Sequence, residues 1–459
     1  MALLGYLAHV RLPQPGRRAV MAVVVIAVLA RLGAIGVAEL APLAGDSLAY
    51  HRIAASYLQE GMFLQDSLAA EFGLEDEIKN GAPRREPLHS FAIGYPAYLA
   101  GVYAIFGDGA AGRVAALVVL ALLAGLLIPP VALAIYRDLG GTSGAGAWAA
   151  LWLAALWPEA FTMARELLSE NLAAVLFAPW LWLICGMAAG RVRQSGKFLA
   201  AAGVLGGLLF LVRAEFLPVI VVGALLTGLR DGEKSEEGLE GAYRLRPALI
   251  VLAVAMPFLV FPTVRNYRNF GEYIPLTTVG GNNFWLGALQ NQAFFAQEDP
   301  LGEVRKIYVP GKPAETDRNF FRAGAGWAAS HPGHYALRMI QRFFMMNFHA
   351  YGEPAIIGKP WYLWIGRFLL RFSRVVVVPL FLLGLWFAAE RRPVVWFLFG
   401  IYAYKILFLH LFFDARPRMF HPIHFLVIAG AAAMLDLYLR RRSGEASGDD
   451  GSEAESPPD

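Results

Sequence analysis

The chain has 459 residues, 57% of them hydrophobic and only 17% charged, with a mean hydropathy of +0.48, which excludes an ordinary soluble fold and points to a polytopic membrane protein. The formal net charge of +4 comes from short basic clusters at the ends of apolar runs, as the positive-inside rule expects, and not from a nucleic-acid-binding face. The lone cysteine, Cys185, excludes an intramolecular disulfide and a cysteine-based metal site.

The first apolar run, 20–40, is long enough to span and too long for a removable signal peptide. Arg11, Arg17 and Arg18 precede it, which places the N-terminus in the cytoplasm. Residues 45–87 follow with eight acidic and four basic side chains, the first of two large outer loops (about 42–88). Further apolar runs cover 89–106, 114–136, 145–157, 172–187, 198–229, 247–261, 361–387, 394–413 and 419–439. Basic groups at Arg191, Arg193 and Lys197, at Arg230 and Lys234, at Arg391 and Arg392, and at Arg440, Arg441 and Arg442 mark cytoplasmic turns. The second outer loop is about 264–360. Splitting 198–229 at Arg213–Ala214–Glu215 keeps Arg191–Lys197 inside, and parity then demands one more crossing near 94–136. The expectation is one domain over 1–440 with about ten to twelve spans, followed by an acidic, Gly/Ser/Pro-rich cytoplasmic tail (441–459) that reads as disordered.

Three stretches carry candidate chemistry. In 45–61, Tyr50, Ile53, Ala54, Tyr57 and Leu58 follow the spacing of one helix face, so a helix lies along the interface with Asp46 at its N-cap and Gly61 at its stop. Asp46 reads as a cap, as a carboxylate facing a cavity that takes a proton from a hydroxyl, or as both. In 83–107, Arg84, Arg85 and Glu86 stand just before a membrane entry, and Gly94-Tyr95-Pro96 breaks the next helix near its start. Interfacial arginines anchor headgroups or bind a lipid phosphate in bidentate fashion. In 261–288, Arg265 and Arg268 share a helix face. Gly280-Gly281-Asn282-Asn283 reads as a tight turn, with Phe284 and Trp285 as aromatic faces of the kind that hold a sugar. The i, i+3 pairs His421/His424 and His331/His334 read as structural or interfacial.

In this order the stretches resemble the GT-C superfamily of membrane glycosyltransferases, most of all glycosyltransferase family 39, the protein O-mannosyltransferases and lipid A aminoarabinose transferases. Asp46, Tyr50, Ala54 and Gly61 are similar to the family's acidic residue and amphipathic helix after the first span. Arg85 and Gly94-Tyr95-Pro96 are similar to its basic residue and Gly-Tyr-Pro. Glu166–Asn171, Gly206-Gly207 with Arg213, Arg265-Asn266 with Gly271 and Gly280–Asn283, and Arg416 with Arg418 continue the series, which covers most of 20–439. Many relatives carry Asp-Glu where this chain has Asp46-Ser47, and Glu86–Ile93 intervenes between Arg85 and the Gly-Tyr-Pro.

The resemblance implies a GT-C-like bundle with interfacial helices in the first outer loop. It also implies inverting transfer of a sugar from a polyprenyl-phosphate donor to an acceptor hydroxyl of a lipid, glycan or protein, on the outer face of a bacterial inner membrane. Asp46 is then the base and Arg265, Arg268 and Arg85 the phosphate ligands. Glu170, which otherwise reads as a cap of the helix that follows it, positions the acceptor or a metal. Tyr50, Asn282, Asn283 and Trp285 contact acceptor or sugar. No obligatory cofactor is expected, although some relatives use a divalent metal and the chain has no Asp-x-Asp. The competing readings are a transporter or flippase for a lipid-linked saccharide, which would set its polar residues near mid-membrane, and a polysaccharide polymerase or ligase.

Overall fold

The computed structural model describes residues 13–36, 42–71, 73–228, 245–275, 277–289, 300–349, 361–388, 393–409 and 416–442. Arg11, the basic turns at Arg230/Lys234 and Arg391/Arg392, and the acidic tail from Ser443 lie outside these residues. The described chain is helical almost throughout. Its one sheet is a two-stranded antiparallel ribbon, Leu64–Asp66 with Arg85–Pro87, which sets Gln65 opposite Glu86. The protein is an all-α polytopic membrane protein.

Among the described residues six helices are long and apolar enough to cross a bilayer, including Arg17–Gly36, Ala110–Asp138, Ser169–Ala188 and Leu245–Phe270. Other apolar runs form shorter helices such as Gly196–Val212. At 1.5 Å per residue these fall short of the roughly 30 Å hydrocarbon core. One short helix, Gly144–Ala155, stops where a buried charge from the first span meets it. Arg31 donates to the carbonyls of Ala155 (2.8 Å) and Ala154 (3.2 Å), which a helix end otherwise leaves without partners.

Side-chain contacts mark two ends of the bundle. At one, Arg191 pairs with Asp138, Asp436 accepts from the N–H groups of Thr142 and Ser143, and Gln194 donates to the Thr227 carbonyl. At the other, Asp46, Glu170, Arg213, Glu215, Lys405 and Arg418 meet. Followed between these ends, the described chain passes about ten times, at 17–36, 110–138, 144–163, 169–188, 196–212, 214–226, 245–270, 361–388, 393–409 and 417–442. Parity closes by losing a crossing and not by gaining one. Helix Gly94–Phe106 stays at the second end, where Gly94 abuts the backbone of Leu211 and Val212 and Tyr103 bonds His51 (3.1 Å). The break at Arg213–Glu215 is present as expected, a short 3-10 turn between two helices.

Close helix approach relies on small residues, as is common in membranes. A Cβ on Gly207 would fall 2.4 Å from the Phe258 ring, and one on Gly384 would fall 2.4 Å from the Gly430 carbonyl oxygen. The two outer segments share a second apolar core, in which Ala69 and Leu74 of the first meet Trp285, Leu289, Val304 and Phe320 of the second. This packing docks the second outer segment over the first. Helix Leu245–Phe270 carries Arg265 and Arg268, so the second outer segment begins several residues later than the sequence suggests.

Candidate functional site

The helix after the first span runs Gly45–Glu60. Its N-cap is Ala44, not Asp46, and the Ser47 hydroxyl accepts from the Ala44 N–H (3.2 Å). Asp46 therefore lies in the first helical turn, where a carboxylate suits the helix dipole. Gly61 ends the helix at φ 72°, a conformation that glycine adopts without strain. Tyr50, Ile53 and Ala54 are buried as the periodicity predicts, whereas Tyr57 and Leu58 are exposed.

Asp46 lies on the wall of a cavity of about 710 Å³, which Arg52, Arg85, Glu71, Asp108 and Arg416 also line. Beneath it runs a chain of charges. Arg418 pairs with Asp46, and its Nε lies 3.3 Å from Glu170. Glu170 also takes Arg213 (2.9 Å), Arg213 reaches Glu215 (3.0 Å), and Lys405 pairs with Glu215. Arg416 lies 3.9 Å from the other oxygen of Asp46. Apart from Lys405, which lies within the pass 393–409, the members sit at or near helix ends: the first turns of Gly45–Glu60 and Ser169–Ala188, the C-cap of Gly196–Val212, the start of Pro417–Ile423. Helix ends bring unpaired backbone groups and a partial charge, which is where buried ions are least costly.

Tyr50 donates to the Ser169 hydroxyl (3.1 Å), which also accepts from Arg213 (3.2 Å), and its ring stands edge-on to Phe91 and Tyr95. Burial, then the nearby Asp46 and Glu170 carboxylates, pushes the Tyr50 phenol well up from its ordinary pKa, so it is a neutral donor. Tyr50 and Glu170 hold the charge chain and do not themselves face the cavity. Glu170 is 2% exposed between two guanidinium groups, so its carboxylate is not open to an acceptor.

Arg85 shares the cavity with Asp46 and pairs with Glu60 at 2.5 Å. Arg265 and Arg268 do not line it. Arg265 donates to the Leu88 carbonyl (2.8 Å) and to Asn266, and lines a small separate cavity with Phe91, while Arg268 is exposed on the same helix.

Gly280–Leu289 is a helix and not a tight turn, and its Gly281 N–H donates to Asp317 (2.7 Å). Burial pushes the Asp317 carboxyl up, against the opposing pull of the Gly281 and Asn282 amides. Trp285 is 3% exposed and packs against Phe320; it is a core residue, with no face open to a sugar. Asn283 is half-buried on the first turn. Asn282 lines a side cavity of about 60 Å³ between the outer segments, together with Gln65, Glu86, His89, Thr278 and Tyr308.

The residues that sequence reasoning passed over are Arg416 and Arg418 as site members, Ser169, Glu215 and Lys405. Lys405 carried a signal: a lysine inside the apolar run 394–413 is costly there unless paired. His421 and His424 are buried, whereas His331 and His334 are exposed. His421 stacks on His424 at 4.8 Å and His331 on Trp327 at 4.8 Å.

No family model matches the chain, and no curated protein matches it. Solved structures do. The chain is similar to the archaeal oligosaccharyltransferase AglB from Archaeoglobus fulgidus in complex with an inhibitory peptide and a dolichol-phosphate. That match has 13% identity and a TM-score of 0.46, and covers 96% of this chain and 52% of that one. It is similar also to ArnT from Cupriavidus metallidurans, in the apo state (15% identity, TM-score 0.37, 95% and 78% coverage) and bound to undecaprenyl phosphate (13%, 0.36, 92% and 78%). The chain spans about half the length of the oligosaccharyltransferase.

Proposed function

We propose that the protein transfers a sugar from a polyprenyl-phosphate donor to an acceptor hydroxyl, with inversion at the anomeric carbon. The observation that carries this reading is the placement of Asp46. It is an acid on the wall of a large cavity, at one end of the bundle, gripped from below by Arg418 with Arg416 beside it.

In the step proposed, the acceptor oxygen attacks C1 of the sugar and its proton passes to Asp46. The C1–O bond breaks and the phosphate leaves with the electron pair, so no acid is needed at the leaving group. Cations at the cavity stabilise that phosphate. Arg416 takes this role with Arg85, in place of Arg265 and Arg268, because they share the cavity with Asp46. Guanidinium groups supply the charge in this scheme, which asks for no divalent metal. Arg418 holds Asp46 in place, with Glu170, Arg213 and Tyr50 behind it.

The same reading sets the site on the outer face of a bacterial inner membrane. Arg17, Arg18, Arg191, Arg193 and Arg440 belong to the opposite end of the bundle, which the positive-inside rule assigns to the cytoplasm.

The test compares envelope lipids and glycans by mass spectrometry in cells with the gene, without it, and with Asp46→Asn. Loss of one sugar modification in both altered strains supports transfer. An unchanged envelope, or full modification by the Asp46→Asn variant, removes it. A flippase would lose its product on deletion but has no use for a base, so Asp46→Asn separates the two.

A further inference from the structure

The side cavity between the outer segments is built around a fixed imidazole. The Gln65 amide oxygen accepts from the His89 N–H (3.2 Å), the Ser90 N–H (3.1 Å) and the Ser90 hydroxyl (2.7 Å). Its nitrogen is thereby turned toward His89 Nε2, at 3.1 Å. The same ring nitrogen lies 2.9 Å from Glu86, and Nδ1 lies 2.5 Å from the Thr278 hydroxyl. Glu86 and His89 are both buried. The Thr278 N–H closes the arrangement on the His89 carbonyl (3.1 Å). Ribbon, loop and second outer segment are thus locked into one wall.

Two atoms on that wall are not satisfied. The Asn282 amide oxygen and the Tyr308 hydroxyl are buried and have no hydrogen-bond partner among the described residues, and both residues line the cavity. Burial, then Glu86 and Glu77, pushes the Tyr308 phenol up to about 12, so it keeps its proton. A buried polar atom without a partner is costly, and native structures rarely keep one unless water or a ligand answers it. The amide oxygen needs a donor, whereas the phenol both donates and accepts. Adjacent hydroxyl groups supply both.

The cavity is not isolated. Gln65, Glu71, Ser90 and Phe91 line it and also line the large cavity that holds Asp46. Phe91 and Phe320 add apolar faces, against which the C–H face of a ring can pack. A charged group would find Glu86 and Glu71 there, together with Lys312, so neither sign of charge is favoured.

We propose that this side pocket, too small to enclose a whole ring, takes the hydroxyl-bearing edge of an uncharged sugar ring through Asn282 and Tyr308, the rest of the ring lying in the adjoining large cavity. His89, Glu86, Gln65 and Thr278 act as positioning residues that keep the wall rigid. The proposal rests on the transferase reading only for the source of the ring, which is either the donor's sugar or a sugar of the acceptor.

The test uses the full chain in lipid nanodiscs and, as probes, methyl α-mannoside, methyl β-glucoside, methyl β-galactoside and N-acetylglucosamine, read by saturation-transfer NMR. At least one should bind in the millimolar range. Tyr308→Phe and Asn282→Ala should each weaken it about fivefold to tenfold, the loss of one hydrogen bond. Tyr308→Phe removes one oxygen and should fold as wild type, with the thermal midpoint as the control. Displacement by undecaprenyl-phosphate glucose but not by undecaprenyl phosphate assigns the pocket to the donor ring, and displacement by neither assigns it to the acceptor. Displacement by both places the probe at the phosphate site and overturns the proposal, as does failure of all four probes to bind, or binding indifferent to both substitutions. A chain that binds a glycoside here yet transfers no sugar would sink the transferase reading and leave the pocket standing.

Discussion

The two ends of the bundle use the same ionic chemistry for different purposes. At the end away from the cavity, Asp138 takes Arg191, and Asp436 takes two backbone N–H groups at 2.9 Å and Arg440 at 3.1 Å. These carboxylates are almost wholly buried and each joins one helix to the next turn or helix. At the cavity end the partners are shared: Arg418 serves Asp46 and Glu170, Arg213 serves Glu170 and Glu215, and Lys405 adds to Glu215. The last carboxylate in that chain faces the cavity. A buried ion pair is therefore weak evidence for function on its own. What distinguishes the site end is that its final acid is backed by cations and open to a ligand.

That contrast can be broken by substitution. Asp46→Asn should lower transfer by about 10²–10⁴-fold, the usual contribution of a positioned base, with the thermal midpoint almost unmoved because Arg418 retains Glu170. Asp138→Ala should do the reverse. Arg191 is itself exposed and keeps its water once unpaired, so the loss should cost about 1 kcal/mol, read as a lower unfolding midpoint, while turnover per folded molecule is unchanged. If Asp138→Ala cut turnover and left stability intact, the two ends would not be distinct. Arg416→Ala should weaken donor binding by roughly tenfold or more, as for a hydrogen bond to a charged group, with little change in stability. Chelation with EDTA should leave transfer within about twofold; loss of activity restored by a divalent ion would replace the guanidinium scheme.

The smallest effect tests electrostatics in the outer lobe. Burial raises the Asp317 carboxyl above its ordinary pKa. The stability it contributes is thus fully present below the unfolded carboxylate pKa and is lost as pH rises through the folded one. Asp317→Asn should unfold no earlier than wild type at pH 7, with the advantage fading as the pH falls toward about 4. A gap that widened on acidification would mean that the Gly281 and Asn282 amides, not burial, dominate there.

Local pattern carried much of the architecture. Runs such as 20–40 and 172–187 became the helices Arg17–Gly36 and Ser169–Ala188, because a chain in hydrocarbon must satisfy its own backbone. The helix stop at Gly61 and the break at Arg213–Glu215 were readable as well. Less was legible at the site. Asp46 and Arg85 share a cavity, whereas Arg265 and Arg268, equally suitable by residue type, do not line it. Trp285 looked like a sugar platform and is core. A helix face is visible in the spacing of residues, whereas what packs on that face is not.

Amino-acid order by itself settles that this chain is a helical membrane protein with acids and arginines at its span ends, since hydropathy and periodicity act over neighbouring residues. Only folding decides which of those arginines reaches Asp46. Arg418 lies 372 positions away in sequence, and its approach depends on how the last pass packs against Ser169–Ala188. No local rule encodes a contact made across the whole bundle.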